Sequence, residues 1–193
     1  MDVPRETRDR FAVFESFVRR WNPRINLVSP STLQDFETRH LADSIQIHEM
    51  APHDATTWAD LGSGGGFPGV VVAICRPDCR VTMVESDRRK AEFLRHAVRE
   101  LSLNADIRAE RIEDIQGIAP DVISARALAA LPKLLSLCES IADPGTVFLF
   151  PKGERFDEEL RLARRDWRFT EEIIPSKTRK GSVILRLRNV ERA

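Results

Sequence analysis

The chain lacks the features that would settle its class at a glance. It has no run of 18 consecutive apolar residues, and its N-terminus is charged through Arg5, Glu6, Arg8, Asp9 and Arg10. The expectation is a cytoplasmic protein with neither a signal peptide nor a membrane span. Cysteine is scarce. Cys75, Cys79 and Cys138 cannot all pair, and no neighbouring His or second Cys pair completes a zinc set. No metal site or disulfide frame is therefore expected, and the three read as reduced packing residues. Net charge is also missing: 30 Lys and Arg balance 30 Asp and Glu, so bulk charge names no partner. There is no repeat and no low-complexity tract. What remains is 193 residues with 42% apolar content, one ordinary globular domain. A chain of that size buries roughly 70% of its unfolded surface.

Glycine is sparse too, yet five of the nine fall in one run, Asp60-Leu61-Gly62-Ser63-Gly64-Gly65-Gly66-Phe67-Pro68-Gly69. An apolar strand candidate (Thr56 to Ala59) precedes it, and an apolar helix candidate (Val70 to Cys75) follows. Strand, glycine turn and helix in that order bind nucleotide-type cofactors. The letters Gly64-x-Gly66-x-x-Gly69 also satisfy the dinucleotide fingerprint, which keeps an NAD-dependent oxidoreductase in view. Asp60 argues against it, because a carboxylate beside a helix N-terminus repels a pyrophosphate. S-adenosylmethionine carries an ammonium and a sulfonium instead, which an acidic turn favours. Glu85 stands 23 residues beyond Gly62, at the end of the next strand candidate, where a carboxylate takes ribose hydroxyls. The cofactor expected is S-adenosylmethionine, leaving S-adenosylhomocysteine as product.

Apolar positions Phe11, Val13, Phe14, Phe17 and Val18 predict a helix over 5–20, stopped by Trp21-Asn22-Pro23. Ser31 could cap a short helix through Glu37, and a further helix is expected from about Arg39 to Met50. Strands then alternate with helices. Strand candidates are 56–60, 80–85, 105–109, 120–124 and 145–150, with helices over 69–75, 88–101 and 130–141. The apolar strands around Val81 and Phe148 suit a parallel sheet covered on both faces. Two last strands, 168–174 and 182–188, form a hairpin or an edge pair. The fold class is α/β, a doubly wound Rossmann-like sheet. Residues 1–50 are expected to form a helical extension packed on a core domain of 51–193. From Ser176 to Ala193 six basic residues face one acid, Glu191, giving either a solvated strand pair or an RNA-facing patch.

Several motifs together resemble the bacterial small-subunit ribosomal RNA guanine-N7 methyltransferase family. They are Trp21-Asn22, Asn26-Leu27, Arg39-His40-Leu41-x-Asp43-Ser44, the glycine turn with its Phe67-Pro68-Gly69 ending, Glu85-Ser86, Arg111-Ile112-Glu113, Arg126-Ala127 and Lys152-Gly153. The resemblance implies a class I methyltransferase sheet of seven strands with the last antiparallel. It also implies S-adenosylmethionine-dependent N7 methylation of one guanine in small-subunit ribosomal RNA, the partner being that RNA or the small subunit; the expected state is a monomer. Two departures accompany it: the N-terminal helical segment is short, and Ala125-Arg126-Ala127 stands where the family often shows Ser-Arg-Ala.

By resemblance and position, Asp60, Gly62, Gly64 and Phe67 hold the methionine and adenosine portions, Glu85 the ribose, and Ile112 and Glu113 the adenine. The alternative for Glu113 is an acid opening a short helix. Arg126 is expected beside the cofactor and to position the guanine or a phosphate, its alternative being a salt bridge. Asn26, Arg39, His40 and Lys152 are the remaining substrate-positioning candidates. Against them stand a surface Arg39–Asp43 pair with a satisfied His40, and a solvated loop lysine. Guanine N7 carries a lone pair and no proton, so transfer needs no general base, and none is evident. An exocyclic-amine enzyme would carry an Asn/Asp-Pro-Pro-aromatic turn at Ser124 to Leu128, and a pyrimidine C5 enzyme a cysteine there; neither is present. A methyltransferase for another RNA or a small molecule, and a non-catalytic RNA-binding assembly factor, remain open.

Overall fold

A computed structural model describes residues 3–193; residues 1 and 2 of the expected N-terminal extension lie outside it. Seven strands form one sheet: β1 (Thr57–Leu61), β2 (Arg80–Val84), β3 (Ala105–Arg108), β4 (Val122–Ala125), β5 (Val147–Lys152), β6 (Trp167–Pro175) and β7 (Val183–Arg192). Their order is β3-β2-β1-β4-β5-β7-β6. β1 to β5 run parallel, and β7 lies antiparallel between β5 and β6. The expected α/β sheet with an antiparallel last strand is what the chain forms.

Side chains alternate across this sheet with the period of two that a strand imposes. Trp58, Val81, Met83 and Leu149 point to one face, where α1 (Arg5–Ile25), α3 (Asp43–Glu49), α4 (Gly69–Cys75) and α5 (Arg88–Glu100) pack. Ala59, Leu61, Ile123, Phe148 and Phe150 point to the other, under α6 (Leu131–Cys138) and α7 (Phe156–Ala163). The chain leaves β1 toward β2 and β3, then returns to β4 on the other side. That reversal opens a crevice beyond the carboxyl ends of β1 and β4, the place where open α/β sheets bind ligands.

The ends of the first helices differ from expectation. α1 passes through Pro23 and stops at Asn26, which adopts a left-handed φ of 48° and donates its N–H to Asn22 O at 3.0 Å. Proline forfeits one hydrogen bond on an exposed face, and burial of Phe11, Phe14, Val18 and Asn22 offsets it. Ser29, not Ser31, caps the short α2 (Pro30–Gln34), accepting from Thr32 N–H. Residues Glu37–Ala42 form a π-helical turn ahead of α3. α7 follows Gly153 in a segment with no expected helix, and strand ends move by at most four residues.

Candidate active site

The glycine turn is tied at both ends by Asp60. This side chain is completely buried. Its Oδ2 accepts the N–H of Gly69 at 3.1 Å, and its Oδ1 accepts the Ser124 hydroxyl at 2.8 Å. Ser124 in turn accepts the Trp58 indole N–H at 2.8 Å. Burial raises the Asp60 carboxyl to about 6, against the pull of its hydrogen bonds and the Arg126 charge. The expectation that Asp60 contacts the cofactor is therefore corrected: both oxygens point into the fold, and it lines neither cavity described below. Its acceptor also occupies the N–H that opens α4, which argues further against a pyrophosphate at that helix end. The turn is narrow. Gly62 has a φ of +68°, and a Cβ there would meet Leu128 Cδ1 at 2.8 Å.

Two cavities meet at this turn, sharing Gly62, Gly64 and Lys90. The first, of about 420 Å³, is lined by Glu85, Ile112, Glu113 and Leu128 among others. Glu85 is nearly buried; its Oε2 accepts Gly64 N–H and its Oε1 accepts Asp87 N–H, both at 2.8 Å. Each oxygen keeps a second lone pair for a hydroxyl. Ile112 gives an apolar wall from a single 3₁₀ turn. Glu113 is exposed on that turn and pairs with Arg111 at 3.5 Å. Its carboxyl is held below the usual range, first by a backbone N–H and then by Arg111. Glu113 thus lies within this short turn and also lines the cavity.

The second cavity, of about 580 Å³, holds Arg39, His40, Phe67, Arg126 and Lys152 in its walls. The Arg126 guanidinium lies 5.1 Å from the Phe67 ring centroid. Both Nη atoms lie 3.3 Å from His40 Nδ1, and Nη1 is 3.5 Å from Arg39 O. A guanidinium only donates, so Nδ1 must accept and the ring proton sits on Nε2, which faces Thr32 Oγ1 at 3.0 Å. Burial, then Arg126 and Arg39, push His40 down to about 4. It is a neutral imidazole. Among the described residues Arg126 has no carboxylate within ion-pair distance, so the salt-bridge alternative does not apply; the sparse polar contacts leave its donors free toward the cavity.

Two substrate-positioning expectations and one alternative reading change. Asn26 is exposed at the end of α1 and does not line the cavity; the buried amide is Asn22, whose Oδ1 accepts Val28 N–H at 2.9 Å. Lys152 reaches the cavity wall with its Nζ already engaged, 2.8 Å from Ala129 O and 2.8 Å from Glu159 Oε2. It is neither a solvated loop lysine nor a free phosphate ligand. Arg39 and Asp43 do not pair; Asp43 accepts the Thr178 hydroxyl instead. His40 and Leu41, neighbours in the π turn, are both buried. Leu27, Gln46, Lys90, Leu128 and Arg179 also line the walls and were not among the expected site residues. Leu27 stood in the Asn26-Leu27 motif and Arg179 in the basic C-terminal stretch, while Gln46, Lys90 and Leu128 carried no signal. Of the basic C-terminal residues, Lys177, Arg186 and Arg192 pair with Glu49, Glu172 and Glu139, which fits the solvated strand pair better than one continuous patch. The cysteines stand apart from both cavities, and burial pushes the thiols of Cys75 and Cys138 up to about 11 and about 12.

A sequence profile described as rRNA small subunit methyltransferase G matches residues 8–184. A protein of that description from Ruegeria sp. (strain TM1040) is 46% identical over 197 aligned positions, covering 100% of this chain and 95% of its own. One from Paracoccus denitrificans is 44% identical and covers 100% of both chains. Among solved structures, the O-methyltransferase TomG from Streptomyces achromogenes in complex with S-adenosylmethionine superposes with a TM-score of 0.59 at 15% identity, over 94% of this chain and 90% of its own. A variant of MtNAS in complex with S-adenosylmethionine gives 0.62 at 13% identity, over 95% and 76%. Similarity at that level concerns the fold.

Proposed function

The chain belongs to the rRNA small subunit methyltransferase G family; it is an S-adenosylmethionine-dependent methyltransferase of ribosomal RNA, and we propose that the atom it methylates is N7 of a guanine. The observation that carries the proposal is the junction of the two cavities at Gly62 and Gly64, with a carboxylate, Glu85, in one and, in the other, a guanidinium, Arg126, that has no ion-pair partner among the described residues. Glu85 would accept the ribose hydroxyls, Ile112 and Glu113 would hold the adenine, and the Gly62–Gly64 backbone would receive the sulfonium end. Arg126, presented by Phe67, His40 and the Arg39 carbonyl, then meets the acceptor.

The cofactor supplies an electrophilic methyl carbon: its bond to sulfur breaks as the bond to N7 forms, and sulfur keeps the electron pair as the thioether. No proton moves. The positive charge passes from sulfur to the purine, so the site needs alignment and dryness and no base. Positioning of this kind lowers a barrier by about 7–11 kcal/mol. Neutral His40 suits that demand, because it holds Arg126 without adding a second charge. Arg126 must leave N7 open, so guanine O6 or a flanking phosphate is its partner. In the same reading residues 1–50 form a helical extension on a methyltransferase domain of 51–193, and the protein is a cytoplasmic monomer.

Replacing Arg126 separates acceptor from cofactor. Arg126→Ala should lower kcat/KM for RNA by at least about a hundredfold, the scale of a lost positioning contact. Calorimetric affinity for S-adenosylmethionine should stay within about tenfold. Full activity in Arg126→Ala, or calorimetric heat from NAD in place of S-adenosylmethionine, would overturn the assignment.

A further inference from the structure

The loop joining β6 to β7 is held against α3 by more polar contacts than a hairpin turn needs. Gln46, on α3, is buried to 2% exposure. Its Nε2 donates to Pro175 O at 2.8 Å, and its Oε1 accepts Lys177 N–H at 2.9 Å. The amide thus pairs with the loop backbone as a neighbouring strand would. Three residues before it Asp43 accepts the Thr178 hydroxyl, and three residues after it Glu49 pairs with Lys177 Nζ at 2.7 Å. Asp43, Gln46 and Glu49 therefore form one face of α3 turned to a loop about 130 residues away in sequence. A buried amide is costly unless both its ends are satisfied, and here both are.

The consequence lies at Arg179. Its backbone N–H is pinned by Ser176 Oγ at 3.1 Å, and Ser182 N–H donates to its carbonyl at 3.2 Å. That turn sets Arg179 in the wall of the larger cavity, which it lines with Arg39, Lys90 and Arg126. Asp43 is the sole acidic residue lining this cavity among the described residues, and it is engaged by Thr178. Arg179 itself is exposed and has no ion-pair partner among the described residues.

We propose that Arg179 binds a backbone phosphate of the RNA acceptor, next to the nucleotide being methylated, and that Gln46 is the positioning residue that holds its loop at the cavity rim. The assignment rests on the reading of this cavity as the acceptor site. Arg126 is withdrawn against Phe67 and fits the base; Arg179 stands outside it and meets what enters with the base. Phosphate contacts fix register and orientation, which is the function a rim arginine can perform.

The test compares Arg179→Ala and Arg179→Lys with the wild-type protein in equilibrium binding to protein-free small-subunit RNA, and in methyl transfer, over a range of potassium chloride concentrations. Loss of one phosphate contact on a single strand lowers the slope of log affinity against log salt by about 0.7. Arg179→Ala should show that loss with a raised KM for RNA, a kcat within about twofold of wild type, and unchanged S-adenosylmethionine affinity. Arg179→Lys should keep the wild-type slope. Gln46→Ala should reproduce the Arg179→Ala slope, and adding Arg179→Ala to it should change nothing more. A wild-type slope and KM in Arg179→Ala would overturn the proposal, and so would equal losses in the Ala and Lys variants. Tight RNA binding without methyl transfer in the wild type would remove the function proposed for the cavity and leave the slope comparison to decide Arg179 by itself.

Discussion

Arg126 has two titratable neighbours whose responses to burial run in opposite directions. Asp60 is raised from 3.8 to about 6 and His40 is lowered from 6.5 to about 4, burial being the largest cause of each shift. A raised carboxyl favours the fold while it is protonated, so its contribution is present below pH ~4 and is lost as pH climbs through ~6. A lowered imidazole favours the fold while it is neutral, so its contribution is present above pH 6.5 and is lost as pH falls through ~4. At about 1.4 kcal/mol per pKa unit, Asp60 contributes on the order of 3 kcal/mol. His40 opens on the cavity and contributes less than its shift implies, because solvent screens it. The two trends oppose each other over nearly the same range. Asp60→Asn should therefore leave a stability that rises with pH between about 4 and 6.5, and His40→Gln one that falls there. Denaturant unfolding at a series of pH values reads both slopes; identical slopes in wild type and Asp60→Asn would refute the assignment to Asp60. The turn that contains Asp60 was legible as letters. The direction of its side chain was not, since burial of an acid depends on Ser124 and Gly69 arriving from elsewhere.

At the scale of elements, the β4–α6 connection shapes the junction of the two cavities. Residues 126–130 carry Arg126 into one cavity and Leu128 and Ala129 into the other, with Ala127 at a left-handed φ of 52°. A non-glycine residue holds that conformation only when its surroundings impose it. The constraint comes from β5 and α7: Lys152 donates to Ala129 O, and Glu159 accepts from both Lys152 Nζ and Leu131 N–H. Lys152 is almost buried, at 7% side-chain exposure, and Glu159 less so, at 24%. Lys152→Met should lower stability by about 3 kcal/mol, since it strands the Glu159 carboxylate in a partly buried site. It should also lower methyl transfer more than cofactor affinity. A Lys152→Met variant with unchanged melting and full activity would mean that the loop holds itself. Sequence reasoning found β5, α4 and α5 because their apolar spacing is strong, and it missed α7, which spans only eight residues (Phe156–Ala163). The π turn at Glu37–Ala42 was equally invisible: nothing in its letters says that one extra residue will be accommodated per turn.

For the whole molecule, the N-terminal helices belong to the site as much as the sheet does. Phe14 of α1 packs 5.3 Å from the Phe67 ring, Phe36 packs 5.6 Å from it, and His40 stacks on it at 4.9 Å. A residue of the glycine turn is thereby wedged among helices that precede the sheet, and the same ring supports Arg126. This explains why two motifs far apart in sequence, Arg39-His40-Leu41-x-Asp43-Ser44 and Arg126-Ala127, read as separate signals yet line one cavity. Local periodicity reports helices and strands; it does not report which of them share a wall. The central claim is methyl transfer to guanine N7 in ribosomal RNA. It is tested most directly by supplying labelled S-adenosylmethionine and the wild-type protein to unmodified small ribosomal subunits and to their protein-free RNA, then digesting the RNA for nucleoside mass spectrometry. The prediction is label in 7-methylguanosine from at least one of the two substrates. Label in any other nucleoside, or none from either substrate while S-adenosylmethionine still binds, would contradict it.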